Sequence, residues 1–315
     1  MRSALAVLLL FTGCAAVHPH ARFEAVVLGS SGGLDESDLT SVWLTRFGRQ
    51  DFIALDAGTV VAGLRRAHAR GSMGLPSESL SRLRGVFLSH PHLDHVSGLI
   101  LASPDLPTLN VYGLAPTLDA LATHVFSSPL WANFSDEGPR AIGRFHLERL
   151  TPGTAVDVPA ADVKVEALEL SHADTTSTAF LVFAGEDAVL YLGDTGPDAV
   201  EKQGRLAALW KRVAPLVRAG KLKAIFLEAS FADPREDSKL FGHLTPGWVC
   251  RELVVLGIET GLPSTMTRVT IVITHIKPSL DSAAEVRAKV VEQMKALGAF
   301  GITIVVPEPG QRLLF

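Results

Sequence analysis

The sequence predicts an α/β protein in which two sheets pack face to face with helices on the outside. Apolar strand-like runs fall into two blocks, Phe23–Leu28, Thr40–Phe47 and Phe52–Leu55, then Val163–Leu170, Thr178–Phe183 and Ala188–Leu192. Each block is followed by helices and strands in alternation, the pattern of a sheet covered by helices. A chain of 315 residues, 47% hydrophobic and 20% charged, has ample material for a buried core.

After the first block, strands Val86–Leu88 and Leu109–Tyr112 alternate with helices Val60–Ala69, Val96–Ala102 and Pro116–Val125. After the second, strands Ala224–Leu227, Val269–Ile273 and Ile302–Val306 alternate with helices Ala199–Val217, Thr245–Leu256 and Ser282–Leu297. Thr245-Pro246 places a capping residue ahead of a proline at the first helical position, and Gly298 stands where a helix end favours glycine. The stretch Ser127–Arg144, with Pro129, Trp131, Asn133 and Gly138, reads as a loop able to cover a site. No linker, solenoid repeat or low-complexity tract interrupts residues 22–315, which are expected to form a single domain.

The formal net charge of −4 argues against a polymer nucleic acid as partner, because coating a phosphate backbone needs concentrated Lys and Arg. No run in the body is long and apolar enough to span a bilayer. Residues 1–14 pair a basic Arg2 with the apolar run Ala4–Phe11, the layout of an export signal. The end of that run, Phe11-Thr12-Gly13-Cys14, resembles a bacterial lipobox, although Phe11 replaces the usual Leu. The expectation is an exported, periplasmic chain held to the membrane only by lipid on Cys14, with cleavage near Ala15-Ala16 or an uncleaved tail as alternatives. Cys250 then has no partner, and no disulfide is expected.

The densest chemical signal is Ser89-His90-Pro91-His92-Leu93-Asp94-His95, directly after a strand. In an extended segment His90 and His92 project to one side, so their imidazoles can converge on one ion. A helix starting next would carry Asp94 and His95 toward a second ion. Nitrogen and oxygen donors without thiolate suit Zn²⁺, with Mn or Fe as alternatives. His172, Asp194 and His275 each follow an apolar strand as well, the way a sheet rim presents an open metal site.

With these residues in view, the sequence resembles the metallo-β-lactamase superfamily and, within it, the class II 3′,5′-cyclic-nucleotide phosphodiesterases. The stretch from His90 through Ser103-Pro104 fits the narrower family's pattern. Leu28–Gly33, Gly193–Asp198, Gly242–Pro246 and Thr274–Pro278 also look like it. The resemblance implies an αββα four-layer sandwich of two mixed sheets with a two-metal site between them. It implies that His90, His92 and His172 bind one metal, that Asp94, His95 and His275 bind the other, and that Asp194 bridges. Asp56 resembles the superfamily's early Asp, which supports ligands from behind. Gly242-His243-Leu244-Thr245 looks like the segment supplying a general-acid His, and Glu228 like the carboxylate that orients it. Asp94, Glu228 and His243 form the expected catalytic set.

The expected reaction is attack of a metal-activated hydroxide on a small-molecule cyclic nucleotide. His243 protonates the 3′ oxygen and a nucleoside 5′-monophosphate is released. Another phosphodiester, thioester or lactam substrate, or a non-enzymatic exported binding protein, stand as alternatives. The oligomeric state is open, a dimer being compatible. Gly29-Ser30-Ser31-Gly32-Gly33 matches a nucleophile elbow, but Leu34–Asp38 makes a poor helix after it, so Ser31 is set aside as a nucleophile. Arg65, Arg66 and Arg70 are expected on a solvated face, and Lys277 is placed to reach a substrate phosphate. His18, His20, His68, His124 and His146 are given no role.

Overall fold

The computed structural model describes residues 21–298 and 301–315, so the Cys14 motif, His18 and His20 lie outside the described residues. The first half runs β1 (Phe23–Gly29), β2 (Ser41–Arg46), β3 (Phe52–Leu55), α1 (Val61–Ala69), α2 (Pro76–Leu80), β4 (Leu83–Phe87), α3 (Leu93–Ala102), β5 (Leu109–Gly113), α4 (Ala115–Ala120) and β6 (Phe145–Arg149). The second runs β7 (Ala155–Val158), β8 (Val163–His172), β9 (Thr175–Ala184), β10 (Asp187–Leu192), α5 (Asp198–Glu201), α6 (Arg205–Arg218), β11 (Leu222–Glu228), α7 (Pro246–Glu259), β12 (Thr270–Thr274), α8 (Ala283–Gly298), β13 (Thr303–Val305) and β14 (Gln311–Leu314).

Two seven-stranded sheets result, ordered β14-β1-β2-β3-β4-β5-β6 and β13-β12-β11-β10-β9-β8-β7. Each is mixed in the same way. The first is antiparallel from β14 to β3 and parallel from β3 to β6. The second is antiparallel from β7 to β10 and parallel from β10 to β13. The halves thus share one topology, and β14 returns across the molecule to pair with β1.

Burial on both faces explains why the strands read as continuous apolar runs. On β1, Phe23, Ala25 and Val27 face the other sheet while Val26 and Leu28 face the helices. On β10, Val189 and Tyr191 point inward and Ala188, Leu190 and Leu192 pack under the outer helices. Phe87 of the first sheet meets Phe180 of the second edge-on, at 5.5 Å between ring centroids, which locks the two layers.

Several local expectations are corrected. The run Ala199–Val217 is two helices, because Lys202 and Gly204 take left-handed conformations between α5 and α6. Pro116–Val125 is α4 followed by a wider helical turn over Leu121–Val125. The loop Ser127–Arg144 is anchored at the C-terminal end of α3. Trp131 donates to Ser103 Oγ at 2.9 Å and Arg144 to the carbonyls of Pro104 and Leu106, all beyond the C-terminal end of α3. Arg66 is half-buried and donates to the backbone and hydroxyl of Ser37, so it is a clamp on the 31–38 turn, while Arg65 and Arg70 are exposed.

One buried charge makes a pH test of the α6–α7 packing. Glu252 accepts from Trp210 Nε1 at 2.8 Å. Burial raises its pKa, against the lowering effect of that hydrogen bond. A carboxyl whose pKa is higher folded than unfolded contributes full stability below its unfolded value and loses it as pH rises through the folded one. Glu252→Gln keeps the acceptor without titrating. Denaturant midpoints measured from about pH 4 to pH 8 should therefore move in favour of the variant as pH rises.

Candidate metal centre

The cluster forms where strands of both sheets end, the rim at which α/β architectures place ligands. β4 stops at Phe87, the chain bends at Ser89, and α3 starts at Leu93 with an extended His92 as the residue before the first turn. His90 and His92 therefore lie on the segment between strand and helix, and Asp94 and His95 in the first helical turn. His172 ends β8, Asp194 follows β10, Glu228 ends β11 and His275 follows β12.

The side chains converge. One donor atom from each of His90, His92 and His172 falls within 4.8 Å of the others, and the same holds for Asp94, His95 and His275. Asp194 lies between the two groups. Its Oδ1 is 3.3 Å from His95 Nε2, and its Oδ2 is 3.1 Å from His275 Nε2 and 3.8 Å from Nε2 of both His90 and His172. Asp94 Oδ2 stands 3.2 Å from His275 Nε2.

Each ring is aimed from behind. Asp56, fully buried with φ 55°, accepts from Ser89 N and Oγ at 2.7 Å, from His95 Nδ1 at 2.7 Å and from the Tyr191 hydroxyl at 2.6 Å. His172 Nδ1 donates to the carbonyl of Gly242 at 2.8 Å, which leaves Nε2 unprotonated and facing inward. His275 also takes a left-handed backbone, φ 55°, and its Nδ1 sits 2.9 Å from Ser230 Oγ. Gly32 lets that ring close in, since a Cβ there would come within 2.4 Å of it.

Electrostatics follow from packing anions and imidazoles out of water. Burial, helped by His95, pushes His90 well below its ordinary pKa, and burial brings His172 down to about 4. Burial also opposes charge on His95, but Asp194 and Asp56 outweigh it and raise its pKa. Burial alone would raise Asp194, yet His275 and His95 hold its carboxyl well below the usual range. Asp194 thus stays ionised among imidazoles in a site closed to water, a carboxylate available to cations.

The donor set fits divalent ions on an independent observation. Nε2 of His90 and of His95 are buried and make no hydrogen bond, although both Nδ1 atoms do. An orphaned, inward-facing imidazole nitrogen is costly unless something coordinates it. Oxygen and nitrogen donors without sulfur suit Zn²⁺, Mn²⁺ or Fe.

Beside the cluster, His243 Nδ1 lies 3.0 and 3.2 Å from the two oxygens of Glu228 and 3.7 Å from Asp194 Oδ2. Glu228 is fixed by the backbone N–H of Thr195 at 2.8 Å and of Leu244 at 3.2 Å. Burial disfavours an imidazolium at His243, but Glu228 outweighs that and its pKa is raised. Thr245 caps α7 by accepting from Trp248 N, so helix capping does not occupy His243.

Four contributors escaped the sequence reading. Ser89 and Tyr191 complete the grip on Asp56. Ser230 Oγ donates to Glu228 Oε2 and stands within reach of both His243 and His275, joining the two parts of the site. Gly242 leaves no room for a Cβ, which would come within 2.4 Å of Ala173 N and 2.7 Å of His172 Nδ1. Ser31 donates to Asp38 Oδ2 at 2.6 Å and stabilises a turn, in keeping with its rejection as a nucleophile.

A family model described as cAMP phosphodiesterases class-II matches residues 75–310. The chain is 36% identical over 307 residues to a 3′,5′-cyclic-nucleotide phosphodiesterase of Aliivibrio fischeri, covering 93% of each. It is 30% identical to cAMP/cGMP-dependent 3′,5′-cAMP/cGMP phosphodiesterase A of Dictyostelium discoideum, over 92% of this chain and 80% of that one. Among solved structures, unliganded yeast PDE1 superposes with a TM-score of 0.83 at 22% identity, covering 94% of this chain and all of that one. The metallo-β-lactamase fold protein YhfI of Bacillus subtilis superposes with a TM-score of 0.62 at 14% identity, over 93% and 99% of the two chains.

Proposed function

The chain belongs to the class-II cAMP phosphodiesterase family on a metallo-β-lactamase fold and is a 3′,5′-cyclic-nucleotide phosphodiesterase; from that premise we propose how its side chains divide the work. His90, His92 and His172 would hold one divalent ion and Asp94, His95 and His275 a second, with Asp194 placed to serve both. Zn²⁺ is the first choice, with Mn²⁺ or Fe as alternatives. Bound there, such ions would lower the pKa of a water and neutralise charge on the phosphoryl oxygens.

The chain's own residues do the rest. Asp56, the Gly242 carbonyl and Ser230 keep His95, His172 and His275 in the tautomer and orientation that face the centre. Glu228 engages Nδ1 of His243 and favours its protonated form, so Nε2 is the edge that gives a proton. That proton goes to the 3′ oxygen as its bond to phosphorus breaks, and the product is the 5′-monophosphate. The observation that carries this reading is the position of Asp194, central to both ligand groups, with the Nδ1 of His243 3.7 Å from it.

The N-terminal pattern Arg2, Ala4–Phe11 and Cys14 supports export to the periplasm with a lipid on Cys14. Among the described residues no helix is long and apolar enough to cross a membrane. The test of the reaction is turnover of 3′,5′-cAMP and 3′,5′-cGMP by the purified chain with Zn²⁺ or Mn²⁺. The expected products are 5′-AMP and 5′-GMP, formed only without chelator. A 3′-monophosphate product, or turnover that survives chelation and removal of metal, would overturn it.

A further inference from the structure

Helix α7 carries apolar residues on both of its sides, which a helix with one side in water does not need. Its inner side, with Val249, Leu253 and Leu256, packs in the core beneath the second sheet. On the outer side Val254, Val255 and Ile258 stand in solvent, three and four residues apart and so on one face. Leu262 follows just past the helix end; Ile258 is 67% exposed and Leu262 54%. α7 exposes more large apolar side chains than any other helix among the described residues.

This face ends where the chain enters the fold. Arg22 pairs with Asp187 at 3.1 Å, and Asp187 pairs with Lys223 at 2.9 Å. Lys223 donates to the Gly220 carbonyl at 2.8 Å, and Arg218 Nε donates at 2.7 Å to the carbonyl of Thr260, which closes α7. A short run of contacts thus links Arg22 to the exposed end of the helix. Cys14 precedes Arg22 by eight residues, a reach of at most about 28 Å. The metal centre lies at the other end of the sandwich, because β1 starts at Phe23 and runs seven residues toward Gly32, which packs against the His275 ring.

The surroundings are basic on a chain whose net charge is −4. Arg22, Arg218, Lys223, Arg251 and Arg268 stand around this end and face of α7, against Asp187 and Glu259. Arg251 and Arg268 form no ion pair among the described residues.

We propose that this face of α7 rests on the bilayer that holds the Cys14 lipid, its apolar side chains at the headgroup boundary and its basic rim on anionic headgroups. The inference rests on the lipid-anchor reading above and extends it by adding a protein surface to the lipid. So short a tether keeps the fold at high effective concentration beside the bilayer, so a few side chains suffice where they would bind weakly from solution. The metal centre, at the remote end, stays open to the aqueous side.

The experiment uses the chain purified from membranes and reconstituted into vesicles of phosphatidylethanolamine and phosphatidylglycerol, after mass spectrometry has read the modification of Cys14. With Cys250→Ala, a thiol-reactive dye is carried by Ile258→Cys or by Leu101→Cys, an equally exposed position on α3 in the opposite outer layer. Nitroxide-bearing lipid should quench the dye at position 258 and not at 101. Adding Val254→Asp and Leu262→Asp should lower quenching at 258 about tenfold, within the range for withdrawing two apolar side chains. Turnover of 3′,5′-cAMP should stay at the parent level. Equal quenching at the two positions, or quenching at 258 untouched by the paired Asp substitutions, would overturn the face. So would a dimer that shields position 258 without vesicles, since a second copy would then be its occupant. A Cys14 without lipid would refute the anchor and the face together, and the measured mass separates that case from failure of the face alone.

Discussion

Asp194→Asn is expected to remove most of the activity and at least one bound ion while leaving the sandwich folded. The carboxylate stands within 3.8 Å of inward-facing nitrogens on His90, His95, His172 and His275. No other side chain is shared by both proposed ligand groups. An amide keeps the shape but not the charge that balances two cations in a site closed to water. Losing several kcal/mol of electrostatic stabilisation corresponds to about 10³-fold or more in kcat/KM, at tenfold per ~1.4 kcal/mol. Metal content by elemental analysis should fall with it. Far-ultraviolet circular dichroism of the metal-stripped proteins should coincide, because the apolar core between the sheets, with Phe87 against Phe180, is untouched by the substitution. A variant that keeps two ions and full turnover would remove Asp194 from the centre of the account.

His243→Ala should separate metal chemistry from proton transfer. Loss of a positioned acid costs about 10² to 10⁴-fold. That cost should appear with 3′,5′-cAMP, whose departing 3′ oxygen is strongly basic. It should shrink to a few-fold with bis(p-nitrophenyl) phosphate, whose leaving group needs no proton, and metal content should stay at the parent level. Glu228→Gln should show the same dependence on leaving group in milder form, because Glu228 acts on the leaving group through its 3.0 Å contact with His243 Nδ1. Equal losses on both substrates would mean that His243 serves the metals and not the leaving group.

What the sequence made legible follows from where the signals are local. His90, His92, Asp94 and His95 share one turn, and His172, Asp194 and His275 each terminate an apolar strand, so strand ends pointed to the site before any geometry. Tyr191 was invisible because it lies inside an apolar run, and its role depends on Asp56, 135 residues away. Ser230 was equally mute: its partner His275 is 45 residues on. Among the elements, β14 pairs with β1 from the opposite end of the chain, and nothing within Gln311–Leu314 encodes that. β6 and β7 are partly exposed edge strands with short, weak alternation. The division between α5 and α6 was readable in principle, since Gly204 stands at it in a left-handed conformation.

The central claim is that a two-ion centre at the sheet ends hydrolyses cyclic nucleotides. Titrating metal-stripped chain with Zn²⁺ while following 5′-AMP formation from 3′,5′-cAMP tests it most directly. The account predicts no turnover without metal and a rise that levels off at two ions per chain. Saturation at one ion, or turnover by the metal-free chain, would contradict it.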